Sequence, residues 1–319
     1  MLLTFLNIKA QHELQFQRGS EERPSSVTLP VKTISVLLNV LTSIIPQSHT
    51  DESMVVQRAC ITAYPRLINY GEGFDEIIDG NGSKGNSLPK EANDRMEEHY
   101  KRMYSEEIKV VTVVEALRGY KLSSNPGDQD IFACMIHGLF DEYSLYHTYP
   151  LEALKTTALL FGGIIRHKLL PLLPLEIGLG MILDAVKDHV TDQAMYKFGL
   201  EALKQTFDLF DEWPGFCRHL VQIPGLKGTD AWARAEEVIR SQEGEKSQNN
   251  NSNGMNNDGI NGEAMVNGNF DDMLSAEPSA PPFNSISVDQ SVYTSVYDEP
   301  SGDTQEKVLF VLNNITERN

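Results

Sequence analysis

The chain has 319 residues and is 40% hydrophobic, which is enough for a sizeable buried core in one large domain or two ordinary ones. Its formal net charge is −18, and no basic stripe runs along it. Because neutralisation of phosphates supplies most of the affinity for nucleic acid, this charge excludes tight nucleic-acid binding through a basic groove.

The predicted elements begin with three helices in an upstream helical-repeat segment, residues 1–79. The second helix starts at Pro30, since proline suits a first helical turn, and it stops at Pro46. The third helix is capped by Asp51 and is broken at Pro65. The predicted helical spans are 2–17, 30–45 and 51–64. Glycine and asparagine dominate residues 71–89, which predicts a loop with its centre at 80–88.

A second run of helices predicts a domain over residues 89–240. Proline, aspartate and threonine recur at the expected helix starts, and few segments alternate with a period of two. The pattern therefore predicts an all-α fold, an irregular α-solenoid of antiparallel helix pairs that resembles HEAT repeats. The expected first residues or caps are Pro89, Val110, Asp128, Pro150, Pro174, Asp192, Pro214 and Thr229, and the expected last helices span 175–187, 194–210 and 230–240.

Residues 129–165 predict two apolar helices joined by an aromatic hinge. Apolar side chains from Ile131 to Tyr143 cover more of the first helix than one core contact requires, so this helix is either buried on two sides or presents a groove. Most aromatic residues here belong to a core, and the tyrosines are the better surface candidates because each has an apolar body and a polar tip. The adjacent Asp141 and Glu142 are interpreted as a solvated helix end.

The composition changes at residue 241. Residues 241–305 contain eleven acidic residues and one basic residue, and asparagine and glycine dominate the first part of this segment. Such a sequence cannot bury enough apolar surface to offset its ordering entropy, so residues 241–303 are predicted to be a disordered acidic linker. Residues 304–319 then predict a short amphipathic helix.

No pattern in the sequence indicates an enzyme. The histidines have neither HxxxH nor HExxH spacing, and no GxSxG or GxxxxGK motif occurs. We therefore expect no catalytic residue, no metal and no cofactor, and no run is long enough to span a membrane. The three cysteines, Cys60, Cys134 and Cys217, are far apart, which favours free thiols in a reducing compartment. The glycines of the predicted helices, namely Gly162, Gly163, Gly178, Gly180 and Gly199, are interpreted as points of close helix–helix approach.

Several blocks in this order resemble a known family. They are MEEHYKRMY, VVEALRGYK, DQDIFACMIHGLFDEYSLYHTYP, LEALKTTALLFGGII, MYKFGLEAL and WPGFCRHLVQIPGL. Together they closely resemble the tristetraprolin-binding domain of the largest scaffold subunit of the Ccr–Not deadenylase complex. The upstream block QRACITAYPRLINYGEGFDEIID resembles the fungal version of that subunit. The end of the chain resembles the entry into its next domain, which is similar to the initiation-factor-four-gamma middle domain and holds the deadenylase subunits, so a fragment of a longer scaffold is expected.

The resemblance implies a non-catalytic helical domain whose hydrophobic groove takes short peptides from RNA-binding adaptors. Expected partners are these peptides and the other subunits, and the expected outcome is poly(A) shortening, mRNA decay and translational repression in the cytoplasm, processing bodies and nucleus. The family's LFxEY block corresponds to Leu139, Phe140, Glu142 and Tyr143, and its MYxFG block to Met195, Tyr196, Phe198 and Gly199. The candidate groove residues are His137, Phe140, Tyr143, Met195 and Tyr196.

Two alternatives remain open from the sequence. A helical-repeat binding module of an unrelated transport or translation pathway would have the same architecture. An enzyme would require a convergent, accessible cluster of histidine, aspartate and glutamate side chains in a cleft.

Overall fold

The computed structural model describes residues 1–17, 19, 28–44, 50–82 and 85–249. In these ranges every regular element is helical and no strand occurs, so the predicted all-α fold is confirmed. The α-helices are α1 Leu2–Gln17, α2 Val31–Ile44, α3 Thr50–Ala63, α4 Asp75–Asn81, α5 Lys90–Tyr104, α6 Val110–Lys121, α7 Pro126–Asp141, α8 Leu151–Arg166, α9 Leu172–Lys187, α10 Ala194–Lys204, α11 Pro214–Val221 and α12 Asp230–Asn249. Short 3₁₀ helices span Pro65–Ile68, Glu142–Thr148, Phe207–Glu212 and Pro224–Leu226.

The helices stack as the predicted irregular α-solenoid of antiparallel pairs. Several helices pack mainly on the helix two places along the chain, as α1 does on α3, α5 on α7 and α8 on α10. Others pack on their immediate neighbour, as α9 does on α10 and α11 on α12. This combination of contacts propagates one stack along the chain, as in helical-repeat proteins.

One hydrophobic cluster runs through the stack, from Leu6 in α1 to Val238 in α12. The upstream segment therefore shares its core with the helices that follow residue 89. The domain boundaries taken from the sequence stay predictions, because a shared core does not by itself divide a chain.

Glycines allow the closest helix contacts, as predicted. A Cβ on Gly162 of α8 would lie 2.6 Å from the Ala202 carbonyl oxygen of α10. A Cβ on Gly199 of α10 would lie 2.7 Å from Cγ1 of Val186 in α9. Both distances are shorter than a carbon contact permits, so the backbones approach only because these positions lack side chains.

Four of the predicted first residues or caps were wrong, although α10 begins at Ala194 as predicted. Asp51, a predicted cap, lies inside α3, which begins at Thr50. Helix α7 begins at Pro126, and Asn125 caps it by accepting a hydrogen bond from the Gly127 N–H at 2.9 Å. Asp128, the predicted cap, instead accepts a hydrogen bond from the Ser123 hydroxyl at 2.7 Å. Helix α9 begins at Leu172, two residues before the predicted start at Pro174. Pro174 lies inside the first turn, where proline is tolerated. The residue before α10 is Gln193, which makes no capping bond through its side chain, so the predicted cap at Asp192 is also wrong.

Other boundaries differ as well. Helix α4 lies within the predicted loop 71–89, where its buried residue Ile78 provides an apolar anchor among glycines and acidic residues. The helix predicted over 194–210 ends at Lys204 and continues as the 3₁₀ segment Phe207–Glu212. Helix α12 continues past Arg240 to Asn249, into the predicted linker. The rest of that linker and the predicted helix 304–319 lie outside the described residues, as does the stop at Pro46.

Candidate functional site

Helix α7 lies at the centre of the candidate site, and helices surround its wide apolar face. A Cβ on Gly138 would lie 2.8 Å from Sδ of Met96 in α5, and the Tyr100 hydroxyl donates to the Met135 carbonyl at 2.5 Å. Helices α3 and α6 and the segment Pro65–Ile68 contact other parts of α7. Burial on two sides therefore accounts for this face among the described residues. The sequence had left burial and a groove open as explanations.

The 3₁₀ segment Glu142–Thr148, called here the hinge segment, is the predicted aromatic hinge. Tyr146 is fully buried at its centre, and its hydroxyl donates to the Leu139 carbonyl at 2.8 Å. The Tyr146 ring lies 5.1 Å from the ring of Phe198 in α10 and 5.2 Å from that of Tyr149, measured between centroids. Rings at these separations and angles attract one another and fix the turn between α7 and α8.

Two candidate groove residues are half-buried at the end of α7 and in the hinge segment. The Phe140 ring lies 5.9 Å from the ring of Phe161 in α8. The Tyr143 hydroxyl donates to the Met181 carbonyl of α9 at 2.7 Å, and its ring lies 6.2 Å from that of Phe198. Part of each side chain reaches the surface, and the rest is held against the core. This combination is suited to a pre-ordered aromatic contact with a partner.

The other three candidates have internal partners. Nε2 of half-buried His137 lies 3.1 Å from the Thr62 carbonyl of α3. Met195 is 4% exposed and Tyr196 is 3% exposed, and the Tyr196 hydroxyl donates to the Gly225 carbonyl at 2.6 Å. Met195 and Tyr196 of α10 thus lie in the hydrophobic core and not on an open surface. The peptide-binding role of all five residues stays a prediction.

Glu142 is a buried carboxyl that the sequence interpretation missed. Glu142 is 5% exposed. The prediction that Asp141 and Glu142 form a solvated helix end is therefore wrong for Glu142. Oε2 accepts a hydrogen bond from the Tyr149 hydroxyl at 3.0 Å, whereas Oε1 is buried without a hydrogen-bond partner. Burial, together with the nearby charge of Asp141, raises the pKa of Glu142 to about 7. The sequence feature that could have predicted this burial is the position of Glu142 among apolar and aromatic residues in the LFxEY block.

The opposite end of α7 holds a buried polar network. The Arg66 guanidinium donates to both oxygens of Asp130, at 2.7 and 3.3 Å, and both side chains are more than nine-tenths buried. Asn69 donates to Oε1 of Gln129 at 2.7 Å. Nε2 of Gln129 in turn reaches the carbonyls at the end of α6, the shortest contact being 2.6 Å to Ser123. The network thus joins the segment Pro65–Ile68, α6 and α7.

Two of the described cysteines are held in the protonated, weakly nucleophilic thiol form. Cys60, Cys134 and Cys217 are buried and form no disulfide with one another, and burial raises the pKa of Cys60 and of Cys217 to about 12. Within the described ranges no three histidine, cysteine, aspartate or glutamate side chains are grouped to hold a metal ion. None of the helices described here has the length and apolar character needed to cross a membrane.

Comparisons with known proteins identify the family. The model of the CCR4-NOT transcription complex subunit 1 TTP binding domain matches residues 71–252, more than half of the chain. General negative regulator of transcription subunit 1 of Schizosaccharomyces pombe is 30% identical over 94% of this chain, and the match spans 14% of that protein. Its namesake in Saccharomyces cerevisiae is 35% identical over 52% of this chain and 8% of its own length.

A solved structure shows the same architecture. The N-terminal domain of the yeast Not1 superposes with a TM-score of 0.66 and 27% identity, covering 75% of this chain and 47% of that one. The chain therefore spans only a small part of the full relatives and about half of the solved domain. By its matched domain and its relatives, the chain belongs to the family of CCR4–NOT complex subunit 1.

Proposed function

We propose that this chain is a non-catalytic scaffold segment of a CCR4–NOT complex that presents an apolar surface to short peptides of RNA-binding adaptors. The observation that carries the proposal is the match of residues 71–252 to a domain defined by tristetraprolin binding. Family membership also disfavours the alternative of a binding module in an unrelated pathway. Other subunits of the complex are the second class of partner.

The proposed mechanism is proximity. A scaffold that holds deadenylase subunits and an adaptor at once raises the effective concentration of the enzyme at the adaptor-bound transcript. The chain itself then needs no reactive group, which agrees with its buried thiols and its structural carboxyls. Poly(A) shortening, mRNA decay and translational repression follow from that proximity, and the chain would act in the cytoplasm, processing bodies and nucleus.

The surface that we assign to the peptide lies at the end of α7 and in the hinge segment. Phe140 and Tyr143 are half-buried, as is His137, and their contacts with Phe161 and Met181 hold the two rings in place before a partner binds. Pre-ordered aromatic side chains lose little entropy on binding, so they are effective anchors. Met195 and Tyr196 would support this surface from the core.

Peptide binding to the purified chain tests the proposal directly. Fluorescence anisotropy with a labelled tristetraprolin peptide should detect binding, and Tyr143→Ala should weaken it by about 2 kcal/mol or more, roughly thirtyfold in Kd. Tyr120→Ala is a matched control, because Tyr120 of α6 is also half-buried but its hydroxyl lies 2.9 Å from Nε2 of His99 in α5. Circular dichroism melting is measured in parallel.

The outcomes separate a binding role from a core role. Lost binding with a near-native melt supports the surface. A large fall in melting temperature, of the size that a core truncation of about 3–5 kcal/mol gives, assigns Tyr143 to the core instead. Peptide affinity that is unchanged in the Tyr143→Ala variant rejects this surface, and no binding by the unmodified chain to any adaptor peptide rejects the peptide function.

A further inference from the structure

Glu142 occupies an unusual position at the start of the hinge segment. Its carboxyl is buried and accepts one hydrogen bond, from the Tyr149 hydroxyl at 3.0 Å. Its second oxygen, Oε1, is buried and has no hydrogen-bond partner within the described ranges. Buried carboxylates are ordinarily paired with a cation or accept two or three donors, so the ionised form of Glu142 is poorly supported here.

The other tyrosines near Glu142 already donate their hydroxyl hydrogens elsewhere, so they give its carboxyl no second hydrogen bond. Tyr100 donates to the Met135 carbonyl and Tyr146 to the Leu139 carbonyl. The hydroxyl of Tyr104 is 2.8 Å from that of Thr157 in α8, which itself donates to the Ala153 carbonyl, so Tyr104 is committed as well. Asp141, the nearest charged residue, has the same sign as the ionised carboxyl. Among the residues that the structure describes, no cation contributes to the electrostatics of Glu142.

We propose that the hinge segment is a pH-sensitive element, in which loss of the Glu142 proton favours local opening of the turn between α7 and α8. In the closed state the neutral carboxyl is held by Tyr149 and buried aromatic rings. In the open state the carboxylate is hydrated. Tyr143 follows Glu142 directly, so opening also displaces a residue of the peptide surface. That last consequence rests on the proposed function, whereas the opening itself does not.

The sign and size of the effect follow from proton linkage. Burial raises the pKa of Glu142 from its ordinary value of 4.5 to about 7 in the closed state. The closed state therefore binds the proton more tightly, and its advantage is complete below about pH 4.5 and is lost as the pH rises toward 7. Between pH 6 and 8 the opening constant should rise about tenfold, and it should level off above that range.

Hydrogen exchange of the full chain, followed by mass spectrometry at pH 6, 7 and 8, tests the proposal. After correction for the intrinsic exchange rate, amides of the hinge segment should lose about tenfold protection from pH 6 to 8, while those of α10 change less. Glu142→Gln should abolish this dependence, because glutamine does not titrate. Glu152→Gln, a matched change at an exposed position in α8, should leave it intact.

An NMR titration and a peptide-affinity measurement complete the test. If Glu142→Gln does not fold, carbon-13 NMR titration of the assigned glutamate carboxyls in the unmodified chain should show a midpoint near 7 for Glu142. The assignment matters because burial also raises the pKa of Glu176 to about 7. A Glu142 carboxyl that titrates near its ordinary value overturns the proposal. Equal pH dependence in Glu142→Gln and the unmodified chain overturns it as well. Peptide affinity at pH 6 and 8 is a separate arm: binding at neither pH contradicts the proposed function and leaves the exchange result standing.

Discussion

A buried carboxyl lies at each end of α7, and the two carboxyls have different hydrogen-bond partners. At the first end, Asp130 receives both arms of the Arg66 guanidinium, a residue 64 positions earlier in the chain. At the other end, the Tyr149 hydroxyl is the one donor to the Glu142 side chain among the residues described. The first carboxylate is compensated by a charge and fixes two segments together. The second has only a neutral donor, and burial raises its pKa to about 7, so it is mainly protonated below that pH.

The difference teaches where this helix is fixed and where it can respond. A charge pair with a buried network resists local opening, because breaking it leaves charges without water or partners. A buried acid with one neutral donor resists opening most strongly while its proton stays bound, because burying the ionised carboxylate costs more than that one hydrogen bond returns. The candidate residues Phe140 and Tyr143 lie at the second end, so the proposed peptide surface is on the adjustable side of α7.

The largest expected effect comes from breaking the first end. Arg66→Met keeps an unbranched apolar stem but leaves Asp130 buried without its cation, which should lower the free energy of unfolding by about 3–5 kcal/mol. The double variant Arg66→Met/Asp130→Leu removes both charges and should be clearly less destabilised than the single variants combined. Urea unfolding followed by circular dichroism measures all of them.

An exposed pair supplies the control for that experiment. Arg166 and Asp208 form a 2.8 Å contact, but their side chains are 51% and 70% exposed. Arg166→Met should therefore cost less than about 1 kcal/mol. Comparable losses in the Arg66 and Arg166 variants would show that the buried network is not the stabilising feature that the comparison assumes.

A smaller effect should come from the packing beneath the second end. Gly162→Ala places a Cβ 2.6 Å from the Ala202 carbonyl of α10, a backbone atom that cannot rotate away. Helices α8 and α10 must separate, which should cost about 1–3 kcal/mol of stability in the same urea experiment. Gly119→Ala in α6 has no atom within 4 Å of the added carbon and should be neutral or stabilising by up to about 1 kcal/mol. A stable Gly162→Ala variant would contradict the close approach.

The helical fold could be predicted from the sequence, since helix starts, apolar faces and prolines recur in order. The exact starts could not. Pro126 and Pro174 are both compatible with several positions in a first turn, so a proline limits a boundary without fixing it. Helix α4 was missed because one buried residue, Ile78, outweighs the glycines around it only once α7 is in place.

The candidate site was harder to predict, because its decisive contacts are between distant residues. No local pattern shows that Arg66 pairs with Asp130, or that the Gly225 carbonyl receives the Tyr196 hydroxyl. The wide apolar face of α7 predicted burial or a groove, and only the positions of α3, α5 and α6 select burial. Glu142 resembled an ordinary helix-end acid because its burial depends on tyrosines from α5 and the hinge segment.

The smallest expected effect distinguishes two hydroxyl groups that differ only in their acceptors. Tyr196→Phe removes a hydrogen bond to a neutral carbonyl and should cost about 1 kcal/mol at every pH between 6 and 8. Tyr149→Phe removes the one hydrogen bond that Glu142 accepts from the described part of the chain, so the pKa of that carboxyl should rise further. Its cost should be similar at pH 6 and should approach 2 kcal/mol at pH 8, because hydrogen bonds to charged groups are the stronger ones. Urea unfolding of both variants at the two pH values measures this, and a cost for Tyr149→Phe that does not depend on pH would show that Glu142 stays in one protonation state.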